Sequence, residues 1–379
     1  MIARHHRTGR WMEWTLDGDR IAGVAPADGP EAVGPGDDWL APAFWDLQVN
    51  GRWGVSFSDP SLTADQVAAI VLAQAALGTA QLCPTLISAP AADMLHGLRT
   101  IAEACDRRPD VAARVAGLHL EGPYLSGLDG YRGAHPFSAL RDPDWDEFRR
   151  MQDASGGRVA LVTLAPERPG ALAFIAQLAA TGVIVAIGHT AADGATLRAA
   201  ADAGARLSTH LGNGIAAELP RHPNPIWHQA ADDRLTATLI ADGHHLDPST
   251  LRVLARAKGP GRVLLVSDAS PLAGLPPGTY GPWAVEPSGR VVVAGTPYLA
   301  GASRGLESGV RHLIRDALYA QGDALDAATI LPARLLRRPE PALAPGRAAD
   351  LVRYRLLPEF TLLATCVGGQ WTPDAPPQS

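Results

Sequence analysis

Leu118-His119-Leu120-Glu121-Gly122-Pro123-Tyr124 decides how the chain is read, together with three later runs of the same form. These are Ile187-Gly188-His189-Thr190, Ser208-Thr209-His210-Leu211 and Val266-Ser267-Asp268-Ala269. Each begins as an apolar strand and ends on a residue that can bind a metal or move a proton. One such strand end is ordinary; four, each followed by a helical stretch, form a constellation. Parallel strands alternating with helices bring their C-terminal ends to one rim, where barrel enzymes keep their chemistry. The reading is that Glu121, His189 and His210 hold a metal ion and that Asp268 is the acid/base beside it.

Working outward, the middle of the chain repeats a strand–helix unit. Strands are predicted at 43–50, 80–87, 114–121, 159–164, 183–189, 205–210, 235–242 and 262–268. Helical spacing lies between them, as at 172–180 and 251–257. The first helix is predicted from Thr63, a good N-cap, to Leu77, with Gly78 as its stop. Pro84 inside the second strand predicts a local irregularity, because proline has no N–H for the ladder. Eight such units predict an α/β fold, a (β/α)8 TIM-like barrel, with a doubly wound open sheet as the alternative. After the eighth strand come a Gly/Pro-rich loop over 271–281, a hairpin-like insert centred on Pro287-Ser288-Gly289, and helices near 304–319 and 324–336. At the N-terminus, Trp11–Leu16 and Ile21–Val24 flank a turn at Asp17-Gly18-Asp19 and read as a hairpin. At the C-terminus, 349–354 and 361–367 are strand-like. The two ends are expected to form one small β-sandwich domain, 1–41 plus 346–379, with the barrel at 42–345 between them.

The 379 residues, 46% of them hydrophobic, suffice for one large core and a small accessory domain. A formal net charge of -6 leaves no basic surplus for phosphate backbones, so no nucleic-acid partner is expected. The basic residues are nearly all Arg; Lys258 is the one Lys. Cys83, Cys105 and Cys366 are scattered and odd in number, which fits a reducing compartment better than a disulfide framework. The first residues lead into polar sequence, and no run is long and apolar enough to span a bilayer. The expectation is a cytoplasmic protein with no membrane partner. His5 and His6 read as surface residues.

One carboxylate and two imidazoles suit zinc, with water in an open fourth position; iron or manganese fits the same ligands. Such a metal lowers the pKa of its water toward ~7, and Asp268 is placed to take that water's proton and hand it to a leaving group. His119 alternates with Leu118 and Leu120, so it is either a partner behind the ligands or a packing residue. His135, His222, His228, His244 and His245 lie in loops that would ring the same mouth. Arg221 in one of them either clamps an anionic group or is a solvated charge.

At these residues the chain resembles the N-acetylglucosamine-6-phosphate deacetylases of the amidohydrolase superfamily. The matching runs are Asp46-Leu47-Gln48-Val49-Asn50-Gly51, His119-Leu120-Glu121-Gly122-Pro123, Gly133-Ala134-His135-Pro136, Gly188-His189-Thr190, Thr209-His210-Leu211 with Asn213, Ile240-Ala241-Asp242-Gly243 with His245, and Ser267-Asp268-Ala269. The later Pro332-Ala333-Arg334 and Gly346–Leu351 also fit. The resemblance implies a metal-dependent barrel, a β domain built from both termini, and a homodimer. It places Glu121, His189 and His210 as metal ligands and Asp268 as the catalytic acid/base. Ala134, His135, Asn213, Gly214, Arg221 and His245 match positions near the substrate, His135 steadying the reacting carbonyl oxygen. Gln48 and Asn50 stand where many superfamily members have a His-x-His pair, which points to one divalent metal ion per chain. The implied reaction is hydrolysis of the N-acetyl group of a small amino-sugar phosphate. The chain departs from the family at 211–214 and across 219–228, so an amidohydrolase acting on another N-acyl amino sugar or amide stays open. So do a deaminase or cyclic-amide hydrolase on the same barrel and a non-catalytic sugar-binding protein.

Overall fold

Eight parallel strands follow one another in chain order: β1 (Phe44–Val49), β2 (Thr79–Ile87), β3 (Leu118–Glu121), β4 (Val159–Leu164), β5 (Ile184–Ile187), β6 (Leu207–Ser208), β7 (Thr236–Leu239) and β8 (Val263–Leu265). This computed structural model describes residues 1–296 and 298–372. The ring closes just beyond β8, where Val49 bridges Ala269 in parallel and the Asn50 N–H donates to the Ala269 carbonyl at 2.9 Å. Sequential order with closure excludes the doubly wound sheet, whose strand order reverses at a switch point. The fold is a (β/α)8 barrel.

Local chemistry explains why the units form. Thr63 accepts from the Gln66 N–H while the Gln66 side chain caps the Thr63 N–H, a reciprocal box that starts the helix Ala64–Ala73. The expected single helix tightens into a 3-10 turn, Gln74–Leu77, and Gly78 stops it at φ +86°. A Cβ at Gly78 would sit 2.6 Å from the Phe44 ring, so only glycine fits there. Asp144, Asp193, Asn224 and Asp247 cap later helices through side-chain oxygens that accept first-turn N–H groups. Helical residues such as Val67, Ile70, Leu98 and Ile101 pack with Leu82, Leu86 and Leu120 from the strands into one buried cluster. The irregularity expected at Pro84 is present: the β1–β2 register shifts between Asp46 and Val49, and the Val49 N–H donates to Thr85 Oγ1 instead.

The chain ends meet in a seven-stranded sheet with the order Gln370–Trp371, Thr361–Val367, Leu351–Arg355, Asp38–Pro42, Ile2–His5, Trp11–Asp17 and Arg20–Pro26. Leu351–Arg355 pairs antiparallel with Asp38–Pro42, so the two termini are joined in one domain. The sheet bends back on itself: the Ile21 N–H donates to the Arg347 carbonyl and the Ala349 N–H to that of Asp19. The bend encloses Ala3, Trp14, Ile21, Leu40, Leu351 and Cys366. Residues 373–379, part of the segment assigned to this domain from sequence, lie outside the described residues.

Three expectations need correcting. The fifth, sixth and eighth strands were expected to run to His189, His210 and Asp268; they stop at Ile187, Ser208 and Leu265. The backbone turns left-handed at those three residues, with φ of 51°, 29° and 51°, which no strand can continue. The helix expected over 324–336 is two, Gln321–Asp326 and Ile330–Leu335. Pro332 has no N–H and is accommodated only in a first turn, so the helix must restart just before it. His6 is buried, not at the surface; its N–H donates to the Leu40 carbonyl at 3.1 Å, which draws it into the sheet.

Candidate active site

The strand ends bring Glu121, His189 and His210 together, all buried, with ligand atoms lying within 4.8 Å of one another. Glu121 Oε1 lies 2.8 Å from His210 Nε2 and 3.3 Å from His189 Nε2. His189 places Nδ1 2.9 Å from the Tyr131 carbonyl, which can only accept; Nδ1 therefore carries the proton and the Nε2 lone pair faces Glu121. That is the tautomer a metal requires. Buried His210 Nδ1 has no hydrogen-bond partner among the described residues. Burial would raise the Glu121 carboxyl, but the two imidazoles set against it, His189 and His210, hold it well below the usual range. Against the burial that would lower it, the hydrogen bond to Glu121 raises His210. A buried anion with two convergent imidazoles and a preset tautomer fits a divalent cation.

Asp268 stands beside this cluster. Gln48 Nε2 donates to both Asp268 Oδ1 and Glu121 Oε1 at 2.9 Å, and Asn50 Nδ2 donates to Asp268 Oδ1 at 2.7 Å. One carboxylate oxygen is thus held by two amides, leaving the other for a proton. Burial, and then the negative charge of Glu121, push Asp268 up to about 6, suited to a base that must also release its proton near neutrality. Asp46, below, accepts from the Gln48 and Ser267 N–H groups and so ties β1 to the end of β8.

His135 faces the same space, with Nε2 3.8 Å from Glu121 Oε2. The Ser88 N–H, a donor only, approaches His135 Nδ1 at 3.3 Å, which makes Nδ1 the acceptor and leaves Nε2–H pointing into the site. Burial holds His135 down to about 3, so it is a neutral N–H donor. His119 lies deeper, between the Leu47 carbonyl at 3.1 Å and Thr163 Oγ1 at 2.8 Å; it braces the barrel beneath the site. His245 pairs with Asp242 at 2.9 Å and lines the cavity.

The cavity measures about 420 Å³ and is lined by Asn50, Glu121, Ala134, His135, His189, Asn213, Gly214, His245 and Asp268. A Cβ at Gly214 would lie 2.7 Å from the His189 ring, and its φ is +61°, so the backbone approaches that imidazole as only glycine can. Arg221 and His222 are exposed and do not line the cavity; His228 packs over Gly194. Sequence reasoning missed Trp283 and Tyr298 on the cavity wall. They come from the insert after β8, a three-stranded sheet of Gly278–Tyr280, Trp283–Val285 and Val291–Val293. An insertion directly after the strand end that carries Asp268 must sit at the same rim, and that was the available signal.

Comparison with known proteins agrees with this geometry. The Amidohydrolase family matches residues 39–372. The chain belongs to the amidohydrolase family. It is 37% identical over 355 residues to the N-acetylglucosamine-6-phosphate deacetylase of Homo sapiens, covering 89% of this chain and 84% of that one. It is 33% identical over 337 residues to the N-acetylgalactosamine-6-phosphate deacetylase of Escherichia coli O157:H7, covering 88% and 87%. The crystal structure of N-acetyl-D-glucosamine-6-phosphate deacetylase from Mycobacterium smegmatis superposes with a TM-score of 0.83 at 36% identity, over 96% of this amidohydrolase and 95% of that chain.

Proposed function

We propose that this amidohydrolase removes the N-acetyl group of N-acetylglucosamine 6-phosphate, releasing glucosamine 6-phosphate and acetate. The observation that carries the reading is the Asp268 carboxylate, held through one oxygen by Gln48 and Asn50, beside Glu121, His189 and His210 and sharing one cavity with His135, in a chain related over most of its length to such deacetylases. Glu121, His189 and His210 would hold one divalent ion, with zinc the natural choice for this ligand set. When bound, that ion supplies Lewis-acid polarisation and lowers the pKa of water beside it. Asp268 takes the proton from the attacking water as its oxygen bonds to the amide carbon. His135 Nε2–H donates to the carbonyl oxygen as negative charge gathers there. Asp268 then gives the proton to the sugar nitrogen as the C–N bond breaks, and acetate leaves. Ala134, Asn213, Gly214 and His245 would bind the sugar from the cavity wall. Arg221 would bind the 6-phosphate, which requires its loop to move or the arginine to serve a neighbouring site.

The test is a release assay on wild type and Arg221→Ala, each with N-acetylglucosamine 6-phosphate, its galactosamine epimer and plain N-acetylglucosamine. Wild type should release acetate, one per amine, fastest from the phosphorylated glucosamine. The substitution should lower kcat/KM about thirtyfold, ~2 kcal/mol, on phosphorylated sugars only. Faster turnover of the plain sugar would remove the phosphate from the reading; ammonia in place of acetate would remove the deacetylase. We further propose a homodimer, checked by sedimentation, a cytoplasmic setting, and domain boundaries near 41 and 346. Among the described residues no helix is long and apolar enough to cross a membrane.

A further inference from the structure

Asn50 stands just past β1, with its backbone fixed from both sides. Its N–H donates to the Ala269 carbonyl at 2.9 Å, and its carbonyl accepts from the Phe57 N–H at 3.0 Å. The residue is 5% exposed and lines the active-site cavity. Its Nδ2 donates to Asp268 Oδ1 at 2.7 Å. A carboxylate oxygen accepts, so the end of the amide facing Asp268 is the NH2 group and Oδ1 is turned the other way. Oδ1 is buried and has no hydrogen-bond partner among the described residues. Buried acceptors ordinarily have one, so this atom is kept for a group that arrives with the ligand.

Among the described cavity residues, Asn50 Oδ1 is an unmet acceptor and Asn213 Nδ2 an unmet donor. The carboxylates and imidazoles of the wall are already engaged. Glu121 faces His189 and His210, His189 is bonded to the Tyr131 carbonyl, and His245 to Asp242. His135 presents an N–H, which cannot accept. A secondary amide is trans, with its single N–H pointing away from its carbonyl oxygen. The acceptor for that N–H is therefore a different group from the donor that holds the oxygen. The amide nitrogen must also come within hydrogen-bond reach of Asp268, which hands it a proton, and Asn50 is bonded to Asp268.

We propose that Asn50 Oδ1 accepts the N–H of the substrate's acetamido group and so selects amides over esters. The contact presupposes the deacetylase reading and adds to it the group that orients the leaving nitrogen. Attack by water takes the nitrogen lone pair out of conjugation with the carbonyl. With the N–H held by Asn50, that lone pair is left for the Asp268 proton. The C–N bond breaks as the new N–H bond forms; the nitrogen leaves as NH2, and acetate keeps the oxygen of the water. An ester has no N–H. It sets an oxygen lone pair against Oδ1 and leaves the buried acceptor unmet, so it binds less well.

Binding without turnover separates this contact from the chemistry. Isothermal titration of metal-loaded Asp268→Asn enzyme compares N-acetylglucosamine 6-phosphate with its ester counterpart, 2-O-acetylglucose 6-phosphate. The amide should bind about tenfold more tightly, the upper range for one neutral hydrogen bond. Adding Asn50→Ala should bring the amide down to the affinity of the ester and leave the ester nearly unchanged. A residue that merely holds position 268 in place would weaken both sugars equally. Equal affinity for the two sugars with Asn50 present, or equal losses in the variant, would overturn the proposal. The first comparison needs no change at position 50, so it decides even if Asn50→Ala fails to fold. Wild-type turnover reports on the deacetylase reading separately. Acetate release from the amide without a binding preference for it would remove only the role of Asn50; no acetate and no binding of either sugar would remove both.

Discussion

Asp268→Asn keeps the side chain's shape and the oxygen that Gln48 and Asn50 hold, but it cannot accept a proton. The expected result is a fall in kcat of at least ~100-fold with metal content unchanged by elemental analysis. Activity near wild type would remove Asp268 as the base. His210→Ala tests the cluster separately. It should take purified protein from near one equivalent of divalent metal per chain to a small fraction of that, and unchanged metal would exclude His210 as a ligand. These residues also share a backbone cost. His189, His210 and Asp268 all sit at positive φ, a conformation that costs a side-chain-bearing residue on the order of 1–3 kcal/mol. The types and order of the site residues were legible because a polar residue ending an apolar strand stands out. The left-handed turns were not, since nothing in the residue types of His189 or His210 requires φ > 0.

Among the elements, the helix Pro225–Ala231 depends on a residue far along the chain. Lys258, 1% exposed at the end of the helix Pro248–Lys258, donates from Nζ to the carbonyls of Gln229, Asp232 and Leu235. These carbonyls lie at and just after the end of the shorter helix, where backbone acceptors have no helical partner. Lys258→Met keeps most of the packing volume and leaves all of them unmet. The expected destabilisation is about 3 kcal/mol, read as a lower urea midpoint with the slope unchanged. A midpoint within error of wild type would show that water reaches the carbonyls. From sequence Lys258 was a compositional oddity; only the packing of one helix against another shows why a lysine stands there. The insert after β8 was legible as a hairpin for the opposite reason, because its Pro287-Ser288-Gly289 turn is local chemistry.

For the whole molecule, pH bears on stability through buried histidines. His6 has both ring nitrogens buried without a partner among the described residues, and burial lowers its pKa from 6.5 to about 3. A lowered histidine pKa means the unfolded chain takes up the proton first. The neutral ring's contribution is complete above pH 6.5 and is lost as pH falls toward 3. Asp46 opposes this: burial raises it to about 7, so its contribution is present at low pH and is lost as pH rises from 3.8 through 7. The wild-type curve mixes both, so the informative quantity is the difference from His6→Gln. That difference in unfolding free energy should shift by about 1 kcal/mol against wild type between pH 7.5 and 5.5, given ~1.4 kcal/mol per pH unit for a fully shifted group. An equal difference at both values would mean that His6 titrates freely.

What the sequence determined by itself is the alternation of strand and helix, the pairing of the two termini, and the placing of Glu121, His189, His210 and Asp268 at or just past strand ends on one rim. Each of these is written in local signals: a period of 2 or 3.6, a capping residue, a polar stop after an apolar run. What only the tertiary structure decided is where those residues point and what else reaches them. The barrel closes through Val49 and Ala269, residues 220 positions apart by number, and the cavity wall is completed by Trp283 and Tyr298. Arg221 keeps its place in the motif order yet lies exposed outside the cavity, while His6, polar and next to the N-terminus, is buried. Periodicity reports which face of an element is apolar, but burial and contact depend on which elements pack together, and that is a property of the closed barrel and the bent sheet rather than of any segment.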